Sequence, residues 1–255
     1  MVKKLKDIYE KEAVLRRDIL FSLYKKDNIS LIKEIPFWAC YLLKIKQMWL
    51  EEVLYSCAKE KKVILDAGCG DGYLSNLYSK EKCRIFGLDF SFGYLKIAAD
   101  KSKDSGFIQG DILELPLRDK SIDILVCSEV LEHVADVSAA LNEIKRVTKR
   151  VFVSTVPILP QSLDFIRLKI QREKVFMPGR GHFRNFQVRS YLELLRNKGF
   201  KIKKVHCIGS LWWFFFWIFF IKRANWPLIF KIDSFFSNAG IFKKLALDVG
   251  VIVEL

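Results

Sequence analysis

The chain has 255 residues, enough to bury one sizeable core, and this length favours a single α/β domain with attached elements over two independent domains. Hydrophobic residues make up 51% of the chain and charged residues 28%, which excludes an intrinsically disordered protein. The net charge is +14, and residues 151–255 alone carry 17 basic and 6 acidic residues. This surplus predicts a lipid surface, nucleic acid or a phosphorylated substrate as partner; a solvated lysine-rich surface is the alternative.

The first segment of the chain is helical in pattern. Residues 3–59 place apolar side chains three or four positions apart, and Pro36 interrupts the pattern, which predicts two helices. We expect an N-terminal helical cap over residues 1–60, followed by a second unit over residues 61–255. The first seven residues lack the apolar run of a secretory signal, so a cytoplasmic protein is expected.

From Lys62 onward, short runs rich in β-branched residues alternate with amphipathic stretches. The runs begin at Val63, Arg84, Gly106, Ile122 and Val151, and helices are predicted between them over 71–80, 92–103 and 136–148. This βαβα order predicts an α/β fold with a parallel sheet and helices on both of its faces. A helix over 188–198 that ends at Gly199, a strand over 200–206 and a last strand over 248–255 complete the prediction.

An aromatic insertion over residues 207–246 separates the last two predicted strands. Residues 208–221 contain no charged residue, and basic pairs stand on either side, at 203–204 and 222–223. As a helix this run would extend about 21 Å, which is short of the ~30 Å hydrocarbon core of a bilayer. Aromatic residues flanked by basic residues favour peripheral binding to an anionic membrane, while a buried lid helix or a dimer contact is the alternative.

A glycine-rich turn follows the first predicted strand and reads Asp66-Ala67-Gly68-Cys69-Gly70-Asp71-Gly72. Glycines let a ligand approach the backbone closely, the N–H groups of such a turn suit a carboxylate, and Asp66 suits an ammonium group. Asp89 ends the second strand and suits the two hydroxyls of a ribose. Asp111, expected at the end of the third strand, suits an adenine ring together with Ile112. Each acid alone is more often a solvated group or a helix cap, but the ordered set predicts a nucleoside site.

These motifs resemble the class I S-adenosylmethionine-dependent methyltransferases, in particular the small-molecule branch related to ubiquinone and menaquinone biosynthesis methyltransferases. The resemblance covers residues 63–156, including Ser128-Glu129-Val130-Leu131-Glu132-His133-Val134, and more weakly residues 181–202. It implies S-adenosylmethionine as cofactor and a Rossmann-like, mostly parallel seven-stranded sheet in the order 3-2-1-4-5-7-6. The cofactor contacts that it implies are Asp66, Gly68, Cys69, Gly70, Gly72, Asp89, Phe90, Asp111, Ile112 and Ser128.

An acceptor that loses a proton on methylation needs a base, and the resemblance implies a substrate pocket above the loops after strands four and five. His133 is our first candidate, with Glu129 and His182 as the others. A His133 held by Asp136 or by backbone is the structural alternative. The six cysteines show no metal-ligand spacing with the histidines, so no metal site is expected.

The predicted function is methyl transfer to a small, lipid-like or lipid-linked acceptor by a protein bound peripherally to the membrane. RNA methylation ranks lower, because the aromatic residues are bunched in one run and not interleaved with basic residues. A catalytically silent, membrane-associated binding module of the same fold is a further alternative. A dinucleotide enzyme is disfavoured because the third glycine stands at 72, one position early. The acceptor atom and the oligomeric state stay open.

Overall fold

A computed structural model describes residues 37–57, 62–78, 83–102, 104–158, 186–209, 226–237 and 246–255. The first predicted N-terminal helix, His182 and residues 210–225 of the aromatic insertion lie outside this set. The division of the chain at residue 60 stays a prediction.

The described residues form one seven-stranded sheet in the order β3-β2-β1-β4-β5-β7-β6. Only the pairs that include β7 are antiparallel, so the predicted order and the mostly parallel character are confirmed. The carboxyl ends of β1 to β5 therefore meet at one edge, called the carboxyl edge below. The strands are β1 (Val63–Ala67), β2 (Arg84–Asp89), β3 (Gly106–Gln109), β4 (Ile122–Ser128), β5 (Thr148–Pro157), β6 (Lys201–Ile208) and β7 (Asp248–Glu254).

Six α-helices lie in the described part of the chain: α1 (Phe37–Cys57), α2 (Tyr73–Tyr78), α3 (Phe92–Lys101), α4 (Val137–Val147), α5 (Val188–Asn197) and α6 (Trp226–Ser237). Side chains cap two of them, because Ser91 accepts from Tyr94 N and Asp136 accepts from Ala139 N. The predicted stop of α5 at Gly199 is confirmed by the positive φ of 75° there. None of these described helices combines the length and the apolar character needed to cross a bilayer.

The predicted end of the third strand was wrong. Strand β3 ends at Gln109, so Asp111 lies in the following turn, where it forms an isolated bridge with Glu114. Of the helix expected over 227–246, α6 is described up to Ser237, and the part of this prediction over 238–245 lies outside the described residues. The error in β3 arises because an apolar pattern marks which residues are buried but not where the hydrogen-bonded ladder stops.

The sheet is buried on both faces, which explains the continuous apolar runs of its central strands. Helices α4 and α5 cover one face, around Leu125, Leu141 and Phe152. Helix α1 and the inner side of α6 cover the other face, together with Ile64 and Ile208.

Trp49 attaches α1 to the sheet. Its indole stacks on His206 of β6 with ring centroids 5.8 Å apart and an interplanar angle of 12°. The same ring lies on Gly250 of β7, where an added Cβ would come within 2.5 Å of it. A side chain at position 250 would therefore push α1 away from the sheet.

Burial makes His206 a source of acid sensitivity. Burial, and secondly the charge of Lys204, lowers the pKa of His206 from 6.5 to about 4. A folded-state pKa below the unfolded value means that the stabilisation is present above pH 6.5 and is lost as the pH falls toward 4. The variant His206→Phe keeps a ring on Trp49. We expect its free energy of unfolding to fall less between pH 7 and pH 4 than that of the wild type, by up to about 3 kcal/mol. Urea unfolding at pH 7 and pH 4 measures this difference; parallel losses in both proteins would contradict it.

Candidate functional site

The glycine-rich turn leaves β1 at the carboxyl edge, and its glycines have different surroundings. Gly68 has a φ of +83°, and a Cβ there would lie 2.2 Å from the Val130 side chain. Gly70 has a φ of +52°, yet a Cβ there would meet nothing within 4 Å. Gly72 resembles Gly68, since its Cβ would lie 2.7 Å from Ala98. Gly68 and Gly72 are thus needed for packing, whereas Gly70 leaves open space beside the backbone where a ligand can approach.

The N–H groups of the turn are used within the protein. Gly68 N and Cys69 N both donate to Leu88 O, at 2.6 and 3.0 Å, and Gly72 N donates to Cys69 O at 3.0 Å. Gly70 N donates to the Asp89 carboxylate at 2.9 Å. The prediction that these N–H groups bind a ligand carboxylate is therefore wrong for these four, because each already has an acceptor. The turn offers space at Gly70 instead.

Asp89 connects the turn to the next strand. One carboxylate oxygen accepts from Gly70 N at 2.9 Å and the other accepts from Ser91 N at 2.8 Å, just before α3. Both bonds are accepted by the same carboxylate, one by each oxygen. The side chain is thus fixed in place at the carboxyl edge before any ligand arrives.

Asp66 is almost fully buried at the end of β1, with 3% of its surface exposed. Burial first, and then the carboxylates of Asp89 and Asp71, raise the pKa of Asp66 to about 7. Asp71 is itself paired with Lys101 at 2.5 Å. The charged form of Asp66 is therefore unfavourable until a cation comes close, which is the electrostatic character expected of an ammonium-binding group.

The predicted adenine pair lies in the turn after β3. Asp111 is half-buried and accepts from Leu113 N at 2.9 Å, and Ile112 is buried against the core. Phe90 is half-buried, and its carbonyl accepts from Gln109 at 3.2 Å. The structure thus brings the acids Asp66, Asp89 and Asp111 to the carboxyl edge in the predicted order.

Cys69 and Ser128, the remaining implied cofactor contacts, also have partners within the protein. Cys69 is buried beneath the turn, and its sulfur would lie 2.7 Å from a Cβ at Gly87, so its side chain fills the space that this glycine leaves. Ser128, at the end of β4, shares a hydrogen bond of 2.8 Å with Thr155 of β5. The side chain of Cys69 is therefore a packing group, and its sulfur also donates to Gly70 O within the turn at 3.8 Å.

The candidate bases follow β4. His133 ends a 3₁₀ turn (Leu131–His133), its Nδ1 atom is buried, and its Nε2 atom lies 3.8 Å from the carboxylate of Glu132. Glu129 has a φ of +57°, a strained value for a residue other than glycine, and 31% of its side chain is exposed. The next residue, Val130, contacts Gly68. Of these two candidate bases, Glu129 has the more accessible ionisable group, and it lies beside the glycine-rich turn.

Lys46 of α1, a residue not predicted from the sequence, holds Glu129 in place. Its ammonium lies 2.9 Å from Glu129 and 3.0 Å from the fully buried Asp248 of β7. Burial lowers the pKa of Lys46, but the attraction of Asp248 and then of Glu129 outweighs burial and raises it. A signal was available, because Lys46 interrupts the apolar spacing of α1 between Leu42 and Trp49.

Comparison with known proteins places these residues in context. Residues 65–151 match the family model described as "Methyltransferase domain". The chain is 38% identical over 86 residues to a malonyl-[acyl-carrier protein] O-methyltransferase of Serratia marcescens, a match that covers 34% of each chain. It is 36% identical over 93 residues to a demethylmenaquinone methyltransferase of Thermobifida fusca (strain YX), covering 34% of this chain and 39% of that one. The chain thus matches little more than a third of the length of these curated relatives.

A solved structure extends the likeness in fold. Magnesium protoporphyrin IX methyltransferase from Synechocystis PCC 6803, solved with bound SAH, superposes with a TM-score of 0.66. The superposition covers 100% of this chain and 99% of that chain at 15% sequence identity. At this identity the likeness shows a shared fold.

The different surroundings of the glycines predict different effects of substitution. Gly68→Ala combines a left-handed backbone with a contact on Val130 that cannot relax easily, so we expect a loss of at least about 3 kcal/mol of unfolding free energy. Gly70→Ala carries only the backbone strain and should lose about 1 kcal/mol. Urea denaturation of the two variants tests this order, and equal losses would contradict it.

Proposed function

We propose that this chain, which carries an S-adenosylmethionine-dependent methyltransferase domain, transfers a methyl group to a small, lipid-like acceptor at a membrane surface. One observation carries the cofactor assignment. The buried Asp66 and the preorganised Asp89 flank the open backbone at Gly70, and the pKa of Asp66 is raised to about 7 by burial and the neighbouring carboxylates. Such a site favours a cationic ligand with hydroxyl groups.

The residues present fit S-adenosylmethionine. Asp66 would hold its ammonium group, Asp89 the ribose hydroxyls, and Asp111 with Ile112 the adenine ring. When bound, this cofactor supplies a methyl group that its positive sulfur already makes electrophilic. The task left to the protein is to hold the acceptor in line and to exclude water.

We assign the acceptor-facing role to Glu129 and place it ahead of His133. Glu129 is the more accessible group, its backbone is strained, and its neighbour Val130 contacts the glycine-rich turn. Lys46 and Thr155 hold its two oxygens at 2.9 and 3.3 Å, which fixes the carboxylate without blocking its remaining lone pairs. Glu129 would accept the proton of an acceptor hydroxyl or acidic carbon as that atom gains the methyl group.

The lipid-like acceptor is supported by charge and by composition. Residues 151–255 carry 17 basic and 6 acidic residues, and the uncharged aromatic run over 208–221 lies among them. Aromatic and basic residues together are typical of segments that lie in the headgroup region of anionic membranes. An acceptor dissolved in that membrane would then be presented to the carboxyl edge.

Calorimetric titration tests the cofactor assignment. We expect S-adenosylmethionine to bind the wild type, and Asp89→Ala to lose most of this affinity, because it removes the partner of the ribose and of Gly70. Affinity should fall as the pH drops below about 7, since protonated Asp66 no longer attracts an ammonium group, and Asp66→Asn should flatten this dependence. Asp100→Asn, at an exposed position of α3, is the matched control. Tight NADH binding with none for S-adenosylmethionine would overturn the assignment.

Transfer of labelled methyl groups tests the acceptor. We expect label from S-adenosylmethionine to enter a prenylated naphthohydroquinone in vesicles more rapidly than a malonyl group on a carrier protein. Glu129→Gln should reduce kcat by about 100-fold or more with the cofactor affinity unchanged, and His133→Gln should have a smaller effect. The opposite order of the two variants would assign the role to His133, and transfer to the carrier-bound malonyl group alone would reject a lipid-like acceptor.

A further inference from the structure

Helix α6 buries a carboxylate and exposes three large apolar side chains. Asp233 is fully buried and accepts a hydrogen bond of 3.0 Å from Gly209 N at the end of β6. Leu228, Ile232 and Phe235 stand on the opposite side, with 53%, 39% and 72% of their surfaces exposed. These three positions, spaced at i, i+4 and i+7, form the outward face of α6. A helix whose outer side meets water normally buries its apolar residues and exposes its polar ones.

The outward face belongs to a helix that is packed against the rest of the protein on its other side. The inner side of α6 contributes Ile229, Phe230 and Phe236 to the hydrophobic cluster that includes Trp49. The helix is therefore apolar on both sides, and Asp233 fixes which side faces out. Three of the five large hydrophobic side chains that are exposed in the described part of the chain lie on this one face. Such clustering marks an interaction surface, whereas scattered exposed residues do not.

We propose that the outward face of α6 is the surface with which the chain docks on an anionic phospholipid bilayer. This inference names the surface used in the membrane step of the proposed function and rests on that step. The charges of the helix favour this partner: Lys231 is exposed beside Ile232, whereas Asp233, the other ionisable group of α6, is buried. Basic pairs at 222–223 and 243–244 flank the helix in the sequence. Apolar side chains bordered by cations match the interface of an anionic membrane.

A second copy of the chain fits this face less well. A symmetric dimer through α6 would bring the outward faces of two copies together, and with them two Lys231 side chains of equal charge. An anionic bilayer instead neutralises this residue. The charge of the outward face therefore favours an anionic bilayer over a second copy of the chain.

The location of α6 suits delivery of an acceptor. Asp233 binds Gly209, which follows β6 at the carboxyl edge, where Asp66 and Glu129 also lie. Strand β6 is three strands from β4, or about 14 Å at the usual strand spacing. A lipid-linked acceptor held at α6 would thus need only a short reach to Glu129.

Cosedimentation of the full chain with vesicles tests the surface. Vesicles of phosphatidylcholine with phosphatidylglycerol should bind the wild type, vesicles of phosphatidylcholine alone should bind it weakly, and added NaCl should reduce binding. We expect Ile232→Ser with Phe235→Ser to lower the partition coefficient at least about tenfold, and Phe235→Glu to lower it further. Tyr55→Ser, which changes an equally exposed side chain on α1 (76% exposed), is the matched control and should bind like the wild type. Binding of S-adenosylmethionine by each variant reports that the fold is intact.

The outcomes separate the proposals. Equal vesicle binding by the wild type and the α6 variants would overturn the assignment of this surface and leave membrane binding standing. No binding of the wild type to anionic vesicles would overturn membrane docking as a whole, while its titration with S-adenosylmethionine would still decide the methyltransferase assignment. A dimer in the absence of vesicles that Phe235→Glu dissociates, detected by light scattering, would assign the face to a second copy of the chain.

Discussion

The hydrogen bond from Gly70 N to Asp89 organises the candidate site. It joins the turn after β1 to the end of β2 at 2.9 Å, while the other oxygen of the same carboxylate receives Ser91 N at 2.8 Å and so orders the start of α3. With its N–H group directed to Asp89, Gly70 keeps the side that a Cβ would occupy open. A single carboxylate thereby fixes both the glycine-rich turn and the start of α3 in the folded protein.

Electrostatics divide the carboxyl edge into two halves. Near β1, Asp66 lies among other carboxylates, and the pKa raised to about 7 shows that its charge is poorly compensated by the protein. Near β4 and β7, the ammonium group of Lys46 forms ion pairs with both Glu129 and Asp248. Among the described residues, the first half thus carries negative charge without a cation of its own beside Asp66, whereas the second half contains the ammonium group of Lys46.

Two helices outside the matched family segment, α1 and α6, pack against the sheet. Helix α1 supplies Lys46 to the carboxyl edge and is held by Trp49, which rests on Gly250 and His206. Helix α6 packs on the same face of the sheet but turns an apolar side outward. Two helices outside the matched segment thus border the sheet: α1 places a cation beside Glu129, and α6 exposes apolar side chains.

The sequence by itself determined the sheet, its strand order through the family resemblance, and the acids at the carboxyl edge, because strand periodicity and parallel pairing place residues that follow successive strands at one edge. Only the tertiary structure decided that Lys46 pairs with Glu129 and Asp248, that the N–H groups of the glycine-rich turn already have acceptors, and that α6 buries Asp233. These features depend on contacts between segments distant in the chain. Such contacts leave no regular period in the sequence, and their strength depends on burial that only the packed fold creates.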